Sequence, residues 1–441
     1  MKLFPFILQI WREKDRPFRW LIWILAVLFT FYDFFVRVTP SVIVPELMET
    51  FKVDATRVGL ISAFYLYAYA PLQIPVGILM DRFGARRLLT LASMIIGLGG
   101  IFFAMAHQIS MAELGRFLMG MGSAFGFVGI VYVTTHFFHR KRWAVLIGAG
   151  NSLALLGGVF GEAPITFAVQ EWGFRSVVFV LGIIGFLLAL LFFVLMKFVP
   201  AHLGMSESGP KKHTGFWESL YLVIKNAKSW LIALASLGYY AIVPVFGVLW
   251  GVPFLQKANG FTVSEASFAT SMILIGLIAG GPSIGWISDK MGSRKSMLLL
   301  FNFLTFCSFV PLIYIISLPT YLIFLLLFLT GFFIGGQLLT YPFAIESNPI
   351  KVKATAAAFI NTIVFFGGSI LQPLLGYLLD FHWSGEMVNG IPEYSVENYQ
   401  FSLTVFPILL VISFIIILFL KDPKKKIEES RSLLVRLLDK I

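Results

Sequence analysis

Five ionisable residues stand inside stretches of sequence too apolar to hold charge easily. Asp33 and Arg37 lie four residues apart in LFTFYDFFVRVTPSV, Glu113 and Arg116 lie three apart in a second stretch, and Glu162 stands alone in a third. On a helix, spacings of four and three place each pair on one face. A charge at membrane depth costs at least about 2.5–3.5 kcal/mol unless it is paired or solvated, so each is a functional candidate by default. Two chemistries fit. Either Arg37 and Arg116 attract an anionic solute while Asp33, Glu113 or Glu162 exchanges a proton, or each arginine is neutralised by its own helix neighbour and pins two helices together. Uncharged polar residues supply the rest of a candidate site: Tyr65, Tyr69 and Gln73 recur every fourth residue, and Tyr240, Gln337, Tyr341, Asn361 and Gln372 fall in later apolar runs. Their hydroxyls and amides suit hydrogen bonds to a polar solute; packing is the plainer role for each taken singly. His136 and His139 have no third ligand nearby and adjoin Arg140-Lys141-Arg142, so they read as a loop and not as a metal pair. No phosphate-binding loop signature occurs, and neither metal nor cofactor is expected.

The elements that must hold these residues are membrane helices. Of 441 residues, 58% are hydrophobic and 13% charged, and Phe alone contributes 47; the mean hydropathy is +0.86. Crossing a hydrocarbon core of about 30 Å takes roughly 20 helical residues. Twelve stretches are candidates: 20–44, 57–79, 88–106, 111–135, 143–168 and 174–199, then 229–254, 265–287, 296–316, 320–345, 353–379 and 400–420. A net charge of +11 would suggest nucleic acid in a water-soluble chain, but here its distribution points to a membrane. With the N-terminus cytoplasmic, 28 Lys and Arg fall on inside segments and four on outside loops, which places both termini inside. The expected fold class is therefore all-α and integral to the membrane. Residues 1–19 read as an interfacial lead-in and 200–228 as a polar cytoplasmic connection between six-helix halves at 20–199 and 229–420. Residues 421–441 form a basic tail whose Leu434, Leu438 and Ile441 share a helical face suited to anionic lipid. The single cysteine, Cys307, forbids an intramolecular disulfide.

The halves repeat each other. Gly77 to Arg87 reads GILMDRFGARR and Gly285 to Lys295 reads GWISDKMGSRK, with the aspartates 208 residues apart. The shared pattern comprises Gly77, Asp81, Arg82, Gly84, Arg86 and Arg87 in the first copy, and Gly285, Asp289, Lys290, Gly292, Arg294 and Lys295 in the second. A similar offset, 210 or 211 residues, relates Asn151 and Gly157-Gly158 to Asn361 and Gly367-Gly368, and the run Phe117 to Gly120 to the run Phe328 to Gly331. Such tandem parallel repeats place a shared site between the halves near the midplane. Charge breaks the symmetry, since Tyr32-Asp33 is answered by Tyr240-Ala241.

Over essentially the whole chain these features resemble the major facilitator superfamily. The resemblance implies a twelve-helix secondary active transporter whose two six-helix halves rock about a central polar cavity. It implies that helices one and four line the cavity of the first half, so that Asp33, Arg37, Glu113 and Arg116 form one charged cluster. It also implies a cytoplasmic latch in which Asp81 meets the eleventh helix of the other half, with Arg82, Arg86 and Arg87 completing it. Arg116-x-x-x-Gly120-x-Gly122 matches a signature of the family's fourth helix. Gly148, Gly157 and Gly161 keep the spacing of the antiporter branch's helix-five ladder, but Glu162 stands in its proline position, against a drug antiporter. The function expected is proton-coupled transport of a small organic anion or similar metabolite. The alternatives are proton-antiport export of a drug or secreted metabolite, amino acid or peptide transport, and a non-transporting sensor or intramembrane enzyme. An enzyme is disfavoured because no nucleophile and base converge at one depth. The partners expected are the solute, protons and anionic lipid around a monomer, with no nucleic acid. The lack of any Asn-x-Ser/Thr sequon favours a bacterial inner membrane.

Overall fold

A computed structural model describes residues 16–139, 142–196, 216–291, 293–388 and 390–421. The lead-in up to residue 15, most of the 200–228 connection, Gly292 and the tail with Leu434, Leu438 and Ile441 lie outside the described residues, as does the side chain of Asp81. Among the described residues, twelve helices are long and apolar enough to cross a membrane. They are α1 (Phe18–Val42), α2 (Ala55–Met80), α3 (Arg82–Ala104), α4 (Ile109–Phe137), α5 (Val145–Trp172) and α6 (Phe174–Leu195), then α7 (Ala227–Asn259), α8 (Val263–Met291), α9 (Arg294–Tyr314), α10 (Thr320–Ser347), α11 (Lys353–Phe381) and α12 (Val396–Phe419). The ends joined by Arg82–Arg87, Arg294–Lys295 and the central connection define a basic face; the loop from His382 to Ser395 lies on the opposite face.

The join between α2 and α3 is tighter than a turn. Helical geometry runs from Ala55 to Ala104 and is broken at Gly84, whose φ of 76° and ψ of 155° no residue with a Cβ adopts readily. The duplication read in the sequence is physical. A Cβ on Gly120 would lie 1.9 Å from the Tyr65 carbonyl oxygen, and one on Gly331 would lie 1.9 Å from that of Ile273. Thus α4 meets α2 as α10 meets α8, backbone against backbone, the close approach that small residues permit in lipid. Irregular turns fall at matching places: 3-10 geometry at Thr39–Val42 ends α1, a widened π segment at Ile242–Trp250 follows Tyr240 and Ala241 in α7, and α10 tightens at Gly335–Leu339.

The halves touch along α2 and α11 and along part of α5 and α8. Gly59 packs on the Gln372–Pro373 backbone and Gly376 on Ala55, while Gly158 faces Leu274. The α5–α8 contact lies toward the face opposite the basic loops. Nearer the basic face, Gly77, Gly148 and Gly285 have open space where a side chain would project. The close glycine contacts between the halves therefore gather toward the face opposite the basic loops.

Candidate functional site

Burial decides what the charges inside α1 and α4 do. Arg37 is 5% exposed and Asp33 1%. One helical turn apart, they form a two-pronged ion pair, with the Arg37 Nη2 donating to both Asp33 oxygens at 3.2 and 3.3 Å. The Tyr65 hydroxyl of α2 donates to Asp33 and accepts from Arg37 Nε at 3.1 Å. The guanidinium also lies 4.5 Å from the ring centres of Phe34 and Tyr69, and 5.4 Å from that of Phe365 in the second half. Aromatic faces supply the remaining stabilisation of a desolvated cation.

Arg116 is held differently. It is 2% exposed, and its terminal nitrogens donate to the carbonyls of Val36 at 3.1 Å and Arg37 at 3.4 Å. Those carbonyls lie where α1 loses regular helix, so the break in α1 frees acceptors for α4. Its Nε has no hydrogen-bond partner among the described residues, and no carboxylate among them comes within ion-pair distance. Asp33 offsets one of two arginines, which leaves the cluster with one net positive charge.

Arg37, Arg116, Tyr65 and Tyr240 line a cavity between the halves together with Ser62 and Gln372. Its open space is about 20 Å³, room for one water molecule in this sealed arrangement. Ser62 Oγ and Gln372 Oε1 are buried in its wall without a partner among the described residues. The Gln372 amide donates to the Pro244 carbonyl at 2.7 Å, an acceptor within the π segment of α7. Such segments recur where a helix is adapted to a site.

Other expected residues form a second tier toward the basic face. Tyr341 donates to Asn361 at 2.9 Å, and Asn361 donates across the halves to Gln73 at 2.9 Å. Tyr69 stands between the tiers, stacked on Tyr65 and edge-on to Phe365.

Two expectations need correction. Glu113 does not join the charged cluster: it is half-buried, and among the described residues no arginine lies within ion-pair distance of it. Its spacing to Arg116 is right, but Arg116 turns inward to the α1 carbonyls. Gln337 faces away from the cavity, donating to Ser236 at 2.6 Å inside the second half, because the tightened turn at Gly335–Leu339 rotates it onto α7. Glu162 is 0% exposed and accepts from Thr270 of α8 at 2.9 Å, with no arginine among the described residues in ion-pair distance. In the duplicated loops, Arg294 binds Glu346 of α10 at 2.8 Å and lies 3.9 Å from Asp289. Arg82 and Arg86 lie over Phe83 and Phe193 and Lys290 over Trp286, all within their own halves.

One functional contact was missed in the sequence. Asp380, at the end of α11, caps the start of α2 by accepting from Thr56 N at 2.9 Å and Ala55 N at 3.2 Å. The hydroxyls of Thr56 and Tyr394 also donate to it. Burial, with Asp380 beside it, holds the Tyr394 hydroxyl well above the usual tyrosine range, so it stays a donor. The only signal was an acid closing the apolar run LLGYLLDF; its partners on α2 are more than three hundred residues away.

Residues 22–250 and 229–434 each match the Major Facilitator Superfamily. The chain is 25% identical to a probable hexose phosphate transport protein of Chlamydia pneumoniae, over 84% of its own length and 88% of that protein's. It is 23% identical to a probable sulfoacetate transporter of Cupriavidus necator, over 78% and 83%. Its fold is similar to the crystal structure of a bacterial homolog to the human lysosomal transporter Spinster in an inward-facing, unoccupied conformation, with a TM-score of 0.74, 19% identity, and 91% and 96% of the chains covered.

Proposed function

The chain belongs to the major facilitator superfamily as a multi-pass membrane transporter and not an enzyme, and we propose that it carries a small organic anion by alternating access coupled to protons. The observation that carries this reading is the uncompensated charge of Arg116. Two guanidinium groups and one carboxylate are buried at one depth between the halves, and an anion restores neutrality there. A buried positive charge without a counter-ion is costly, so the site is built for a ligand that brings one. Arg116 Nε and Ser62 offer donors, and Gln372 Oε1 accepts one, which suits an anion that also bears a hydroxyl. The chain's likeness to transporters named for hexose phosphate and sulfoacetate supports an anionic substrate.

Asp33 is the coupling group of this reading. Protonating it releases Arg37, which then meets the substrate's charge; losing the substrate restores the ion pair and expels the proton. In this reading the basic face is the cytoplasmic one, following the inside excess of Lys and Arg. Thermal unfolding of the purified protein against a panel of carboxylates, phosphates, sulfonates, amino acids and lipophilic cations tests the substrate class. Anions alone are expected to raise the melting temperature, and to lose that effect in Arg116→Gln. Stabilisation by cations instead would contradict the proposal.

A further inference from the structure

Glu162 occupies the seal between the halves and not the charged cluster. It is fully buried on α5. Its Oε2 accepts from the Thr270 hydroxyl of α8, and its Oε1 has no partner among the described residues. One turn further along α5, the Thr166 hydroxyl donates to Ser267 of α8 at 3.0 Å, so two hydroxyl contacts close the same interface. Among the described residues, the elements packed around Glu162 bring no ion-pair partner to it. From α1 come Val38 and the Phe35 backbone against Gly161, from α8 Leu274 against Gly158, and from α7 Gly251 against Thr270. Titratable groups of those helices have partners elsewhere, Asp33 and Arg37 with each other on α1, Lys257 of α7 with Glu393, and Glu265 of α8 with Thr262, while Arg19 lies at the far end of α1. Asp289 and Lys290 lie at the far end of α8, toward the basic face. Tyr239 of α7 donates to the Phe333 carbonyl, and Tyr240 packs on Phe365.

A carboxylate sealed beside one neutral hydroxyl, with no cation, is strongly disfavoured against its protonated form. We propose that Glu162 is a proton-dependent latch of this seal: the α5–α8 interface closes when Glu162 takes a proton from the solution at the face opposite the basic loops. Opening returns the same proton to that solution. Because it is taken from and returned to the same solution, this proton is not the one delivered across the membrane. This separates Glu162 from Asp33 and assigns it a positioning role. The inference rests on the transporter reading for its significance but not for its test.

The test needs no substrate. In a Cys307→Ser background, spin labels at Gln170→Cys on α5 and Ser264→Cys on α8 report the separation across the seal, measured by pulsed electron resonance in phosphatidylcholine nanodiscs from pH 4.5 to 8.5. The wild-type residue should give a separation that shortens as pH falls. Glu162→Gln, a neutral isostere, should hold the short separation across the whole range, and Thr270→Val should shift the midpoint to lower pH. Asp33→Asn should keep the wild-type midpoint. A Glu162→Gln protein that still responds to pH as the parent does, or a response abolished by Asp33→Asn alone, would overturn the proposal. So would a parent protein that does not respond at all.

Discussion

At the scale of the residue, Arg37 and Arg116 look alike in the sequence and differ in the structure. Arg37 spends its charge on Asp33, four residues back, and on a ring of aromatic faces. Arg116 spends its hydrogen bonds on backbone carbonyls, which carry no net charge. Arg116→Gln should therefore weaken anion binding by about 1.5–3 kcal/mol, roughly ten- to a hundredfold, the value of hydrogen bonds to a charged group. Isothermal titration with a stabilising anion measures this; an unchanged affinity would make the residue a strut between α1 and α4. Asp33→Asn should separate two functions. Exchange of one anion for another should persist in liposomes, because Arg37 is then permanently released. Accumulation driven by a pH gradient should vanish, and accumulation at the wild-type level would move the coupling group elsewhere.

At the scale of the helix, the molecule depends on close backbone approach and on one cap that joins the halves. A Cβ at Gly120 or Gly331 would meet a carbonyl oxygen at 1.9 Å. Overpacking of this kind costs about 1–3 kcal/mol, so Gly120→Ala and Gly331→Ala should each lower the melting temperature. Gly77→Ala, in open space, should leave it unchanged; equal melting of all three would mean that the helices part without cost. Asp380 stabilises the sealed face by capping the first turn of α2 from the end of α11. Removing its charge in Asp380→Asn should shift the balance toward the outward-open state by about 1 kcal/mol, roughly fivefold. Labelling of a cysteine at Ser62 by a membrane-impermeant maleimide should then quicken, and an unchanged rate would make the cap incidental.

At the scale of the whole molecule, the twelve helices, their pairing into halves and the charges on α1 and α4 were legible in the sequence. Hydropathy, the repeated Asp81 and Asp289 loops and i to i+4 spacing are local signals, and local signals survive in a string of letters. Contacts between distant segments were not legible. Spacing put Glu113 beside Arg116, but the break at Thr39–Val42 offered Arg116 better acceptors than a partner on its own helix. Gln337 followed a helical phase that the tightened turn of α10 alters. Asp380 caps a helix from the other half, which no spacing encodes. What unites the scales is a buried site with one positive charge too many among the described residues, which in the proposed function an anion completes. The most direct test is uptake by the purified protein in liposomes. Under an inward proton gradient, an anion that stabilises the wild-type protein should accumulate beyond equilibrium, and Arg116→Gln should abolish that uptake while keeping its fold. No net flux of any anion that the protein binds, or full uptake by the variant, would contradict this account.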